Sequence, residues 1–229
     1  MIGILAGMGP KSTAPFVDLV VAQCQEILGA HHDIDFPPMM IYALPTPFYI
    51  DRPIDHDALK RTVMRGLQKL ESTGVWFIAM PCNTAHAYFD ALAASISVPL
   101  LNIVRETIAV MPPGIKRLAL LATQTTIDSG IYQQDLTRAG YEMVHHPATQ
   151  SQVNGLILAI KNGQPVPDLV EQWQTLLHQL ELAEIDAAIV ACTDLNAVSD
   201  RTQTTLPLID SALALAQATV VAYARQSKP

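Results

Sequence analysis

Charge is scarce in this chain. Only 15% of its 229 residues are charged, and acidic side chains outnumber basic ones to leave a formal net charge of −7. With no local Lys/Arg cluster to offset that sign, a nucleic-acid surface is not expected. Cysteine is scarce too. The three present are widely spaced, with no C-x-x-C pair, which excludes a disulfide scaffold and a zinc ribbon. Half of the residues are apolar, yet no run approaches the roughly 20 residues that a membrane helix needs. The opening Met1-Ile2-Gly3-Ile4-Leu5-Ala6 lacks a basic region and reaches Gly7 too soon for a signal peptide. These absences lead to the expectation of a soluble cytoplasmic protein, in one large or two small domains with a well-buried core.

Nucleotide motifs are missing as well. A phosphate loop ending at Lys11-Ser12 needs glycines where Leu5 and Pro10 stand, and a G-x-G-x-x-G reading fails at Ser12. Gly7-Met8-Gly9-Pro10 therefore reads as a plain turn from a buried strand into a helix, bringing its backbone close to a ligand.

What the chain does have is alternation. Short apolar runs at 2–5, 39–43, 75–79, 99–103, 118–122, 141–145, 187–190 and 206–210 read as strands. Helical patterns lie between them, as in 57–70, where Leu59, Val63, Leu67 and Leu70 share one face. About eight strand–helix alternations imply an α/β fold with parallel sheets. Two of the cysteines mark an internal symmetry. Cys82 follows Val75-Trp76-Phe77-Ile78-Ala79 and Cys192, 110 residues on, follows Ala187-Ala188-Ile189-Val190. Each stands after the third strand of its half, which supports two pseudo-symmetric domains with a cleft between them. The expected boundaries are 1–103 plus 209–229 for the first and 104–208 for the second.

Strand carboxyl ends are where open α/β folds bind ligands. Helix N–H groups close to such a thiol favour its thiolate. Cys24, in line with Phe16 and Val20, reads as a small buried hydrophobe. His86, one turn after Cys82, is either a base for that thiol or, more commonly for histidine, a packed and hydrogen-bonded residue orienting the turn. Two thiols on opposite walls permit a further chemistry: one removes an α-proton and the other returns a proton to the opposite face.

Pro81-Cys82-Asn83-Thr84-Ala85-His86 and Ala191-Cys192-Thr193-Asp194-Leu195 resemble the paired motifs of aspartate racemases, in the cofactor-independent Asp/Glu/hydantoin racemase superfamily. The likeness runs across nearly the whole chain, through Gly7-Met8-Gly9-Pro10, Leu120-Leu121-Ala122-Thr123 with Thr126, Ile160-Lys161-Asn162-Gly163 and Asp210-Ser211. It implies an interdomain active site, a homodimer, a small acidic amino-acid substrate such as aspartate, and neither metal nor pyridoxal cofactor. By the same resemblance, Cys82 and Cys192 match the two acid/base cysteines. Met8, Asn83, Thr84, Thr123, Thr126 and Thr193 match substrate-binding positions, and Arg52 and Lys161 match the cationic carboxylate anchors. The chain departs from the family pattern at Ala6, Asn102, Arg105, Ala191 and Asp194. Other reactions on the same fold, such as hydantoin racemisation, maleate isomerisation or decarboxylation, and a non-catalytic small-molecule binder stand as alternatives.

Overall fold

The computed structural model describes residues 1–227. Strand β1 (Ile2–Ala6) is buried along its length, as a strand covered on both faces must be. It pairs in parallel with β2 (Met39–Ala43) on one side and β3 (Phe77–Ala79) on the other. A short 3-10 turn at Pro10–Ser12 leads into α1 (Thr13–Gln23). Helix α2 (His56–Glu71) starts where the Asp55 carboxylate accepts the Ala58 N–H at 2.9 Å, and it buries Leu59, Val63, Leu67 and Leu70 as their spacing predicts. After β3, a 3-10 turn over Thr84–Tyr88 carries the chain into α3 (Phe89–Ala93).

The expected fourth strand at 99–103 does not form. It shrinks to one parallel bridge between Leu100 and Ile78. The reason is local: Asn102 Oδ1 accepts the N–H groups of Val104 and Arg105, so the chain turns at once into α4 (Ile103–Ala109).

The second half repeats the wiring. β4 (Arg117–Leu121) is followed by α5 (Gln124–Ser129) and α6 (Ile131–Arg138), which meet at the left-handed Gly130 rather than forming one helix. Then come β5 (Glu142–Val144), α7 (Pro147–Lys161), α8 (Val166–Leu182), β6 (Ala187–Val190), the short α9 (Asn196–Ser199), β7 (Leu208–Asp210) and α10 (Ser211–Gln226). The sheet orders are β2-β1-β3 and β5-β4-β6-β7, all parallel. The Leu100 bridge beside β3 occupies the place that β7 holds beside β6. Because β7 pairs with β6 through Asp210, the boundary expected between 208 and 209 falls inside that strand. Helix α10 runs back against α1 and α4, and its Tyr223 stacks on Trp76 at 5.5 Å. Cys24 is fully buried in the resulting core, as expected. Among the described residues, no helix is long and apolar enough to cross a membrane.

The turn after β1 depends on a glycine. Gly7 has φ +92, and a Cβ there would lie 2.5 Å from the Leu44 amide nitrogen. We expect Gly7→Ala to destabilise the fold by about 2 kcal/mol or more, from a left-handed conformation compounded by a backbone clash. Gly155→Ala, in the body of α7 with nothing within 4 Å of the added carbon, should instead stabilise it by about 0.5–1 kcal/mol. Urea denaturation of both variants reads the difference, and equal midpoints would contradict it.

Candidate active site

The carboxyl ends of β1, β3, β4 and β6 converge on one cleft of about 470 Å3, with walls from both halves. The first half contributes Gly7–Lys11, Pro45, Thr46, Phe48, Leu59 and the turn from Cys82 to Ala85, and the second contributes Thr123, Lys161 and Ala191 to Asp194. Cys82 and Cys192 are thus brought to the same cavity, as free thiols. Each stands where a strand gives way to a 3-10 turn, Thr84–Tyr88 for one and Thr193–Leu195 for the other.

The thiol electrostatics differ from the expectation. The N–H groups of Ala85 and Thr84 favour a Cys82 thiolate, and the Asp194 N–H does so for Cys192, while Lys161 favours both. Burial outweighs them. Loss of water raises the Cys82 pKa to about 11, and the same loss together with the Asp194 carboxylate raises that of Cys192 to about 12. Both thiols hold their protons at neutral pH.

Hydrogen bonds fix the turns that carry the thiols. His86 has its Nδ1 2.8 Å from the Cys82 carbonyl, and its Nε2 accepts the Ile103 N–H at 3.2 Å. Nε2 also lies 3.3 Å from the Leu101 carbonyl; the neutral ring with its proton on Nδ1 satisfies the two shorter contacts, in keeping with the lowering of its pKa by burial. His86 therefore braces the turn and has no free nitrogen for the thiol.

The side chain of Asn83 is also committed. Its Nδ2 donates to Ser211 at 3.0 Å and its Oδ1 accepts from Tyr132 at 2.6 Å, while Ser211 donates on to the Val190 carbonyl at 2.8 Å. This buried chain links the residue after Cys82 to a residue two before Cys192. Thr84, Thr123 and Thr126 form a triangle of hydroxyls 3.0 to 3.1 Å apart across the two halves. Thr126 stands behind the other two and does not itself line the cavity. Thr193 donates to Ser12 at 3.0 Å, which donates to the Gly9 carbonyl at 2.8 Å.

The two cationic positions fare differently. Lys161 reaches the cleft, but its Nζ is 2.6 Å from Asp194 Oδ2. Arg52 does not reach it. It lies in the exposed loop before α2, paired with Asp51 at 3.2 Å and stacked over Tyr49 at 4.8 Å, beside a separate hollow. An adjacent carboxylate and an aromatic face satisfy the guanidinium where it stands. Met8 lines the cleft as expected. Phe48, Leu59 and Lys11 were not foreseen as wall residues. The first two carry no signal beyond ordinary loop and helix-face hydrophobics. Lys11, weighed only as part of a phosphate loop, puts its Nζ on the Ile160 carbonyl at 2.9 Å.

The pattern of the Asp/Glu/Hydantoin racemase family matches residues 5–219. The chain belongs to that family. It is 52% identical to the broad-specificity amino-acid racemase RacX of Bacillus subtilis over 223 residues, 97% of this chain and 98% of that protein. Among solved structures, the Picrophilus torridus aspartate racemase superposes with a TM-score of 0.85 at 27% identity, covering 97% of this chain and 94% of that one. An aspartate racemase homologue from Pyrococcus horikoshii shares the fold with a TM-score of 0.77 at 22% identity, covering 97% and 98%. The chain is therefore an isomerase of the racemase class. Of the five positions expected to depart from the family pattern, Asn102 caps α4, Asp194 holds Lys161, and Arg105 is exposed beside a hollow formed with α3 and α6.

Proposed function

We propose that the racemase inverts the α-carbon of free amino acids by two-base proton transfer between Cys82 and Cys192, with aspartate one member of a wider substrate range. The observation that carries this reading is the meeting of two free thiols, Cys192 buried and Cys82 partly buried, at equivalent strand ends in one cleft. In one direction a thiolate takes the α-proton and becomes a thiol. The thiol opposite gives its proton to the other face of the carbanion and becomes the thiolate. No electron is gained or lost, so the step needs no oxidant or reductant. The opposite direction exchanges the two roles. Thr84 and Thr123, held by Thr126 behind them, and Thr193 supply hydroxyls for the α-carboxylate, on which the negative charge of the carbanion spreads. A homodimer in the cytoplasm and division at the two sheets belong to the same proposal.

Breadth is supported by two features. The relative from Bacillus subtilis is named for broad specificity. The cleft volume also lies in the range that accommodates drug-sized ligands and exceeds what aspartate fills. In deuterated water, racemisation should place deuterium at Cα of the product enantiomer for several amino acids, as read by chiral chromatography with mass spectrometry. Interconversion without α-deuterium, or none with any amino acid, would sink the mechanism.

A further inference from the structure

Two residues beyond each cysteine the halves stop being equivalent. Thr84, after Cys82, is neutral and bonded to other hydroxyls. Asp194, after Cys192, is a carboxylate only 5% exposed, with Lys161 Nζ 2.6 Å away. Both members of the pair line the cleft, and the ammonium lies 5.8 Å from the centre of the Phe48 ring. Gly9 closes over them from the first half: a Cβ there would sit 3.0 Å from both Asp194 Oδ1 and Lys161 Nζ. Burial on its own would lower the Lys161 pKa, and the Asp194 carboxylate more than reverses that, so the lysine stays charged. The other ammonium on the wall, Lys11, is turned onto the Ile160 carbonyl, and Arg52 stands outside with Asp51.

An ammonium in contact with a carboxylate presents a dipole to any third group, and a dipole attracts far less than a charge at the same distance. A side-chain carboxylate that approaches Lys161 also approaches Asp194, and the repulsion cancels most of the attraction. An uncharged side chain meets no such opposition and finds Met8, Pro10, Pro45, Phe48 and Leu59 on the same walls. We infer that Asp194 is a specificity-determining residue: by keeping Lys161 in an ion pair, it opens the cleft to amino acids with uncharged side chains and withholds the anchor an acidic one needs. This inference rests on the two-thiol racemase reading.

The test compares kcat/KM for aspartate, alanine and ornithine in the unaltered chain, Asp194→Asn and Lys161→Gln. Asp194→Asn uncovers the ammonium, and the aspartate-to-alanine ratio should rise about tenfold, equivalent to about 1.4 kcal/mol. Lys161→Gln uncovers the carboxylate, and the ornithine-to-aspartate ratio should rise by a similar factor, so the inference stays testable if Asp194→Asn fails to fold. Ratios are used because both substitutions also change the field at the thiols, a factor common to all three substrates. Unchanged ratios in variants that still racemise alanine overturn the role of Asp194 and leave the racemase reading intact. Loss of alanine turnover in both variants, when folded, places the pair in the proton-transfer machinery and overturns a specificity role. An unaltered chain that racemises none of the three overturns both readings.

Discussion

Serine in place of either Cys82 or Cys192 is expected to lower D/L interconversion by about 10³-fold or more, whichever enantiomer is supplied. General acid–base groups contribute about 10²–10⁴-fold each, and a hydroxyl is a far poorer donor and base than a thiol near neutral pH. In the proposed two-base transfer each cysteine is the base in one direction and the acid in the other, so neither loss can spare one direction. Cys24→Ser is the matched control. That thiol is fully buried in the core and takes no part in the cleft, so racemisation should persist while thermal stability falls. Near-normal racemisation by either cleft variant, with its melting curve intact, would rule out a two-thiol transfer.

The second large effect is a dependence on alkalinity. With the Cys82 thiol at about 11 and the Cys192 thiol at about 12, the resting site holds both protons at pH 7. The reactive form has lost one proton from the pair, and apparent values belong to the pair rather than to either sulfur. Raising the pH populates that form, by about tenfold per unit while the pH stays below the lower value. From pH 7 to 9, kcat/KM should therefore climb about 100-fold after correction for the substrate's own ammonium titration. A flat profile over that range would show that a thiolate is already present and that burial does not govern these groups. Folding stability should move the other way. Thiols with raised pKa values keep protons that the unfolded chain releases, so stability is intact below pH 9.0 and declines as the pH rises from there toward about 11.

Much of this was legible in the sequence. The apolar runs of β1, β3, β4 and β6 lie where their pattern put them, because a strand covered on both faces needs unbroken hydrophobicity. Leu100 shows where such reading stops. The run around it has strand composition, but Asn102 offers the following amides a nearer acceptor, and the helix begins at once. Arg52 and Lys161 show a second limit. The family resemblance makes both carboxylate anchors, yet each has a carboxylate of the chain in contact: Asp51 beside Arg52 in sequence, where position alone already favours an ion pair, and Asp194 beside Lys161 only in space.

The sequence by itself determined an α/β chain of two similar halves, with a cysteine ending the third strand of each. Strand composition and strand-end turns are local properties, so the order of residues carries them. Only the tertiary structure decided that both thiols share one cleft, that burial overrides the helix N–H groups in setting their protonation, that His86 is occupied as a brace, and that Lys161 lines the cleft already paired with Asp194. Each of these depends on desolvation or on a partner 15 or more residues away in the chain, and neither depth nor distance is written in the local pattern.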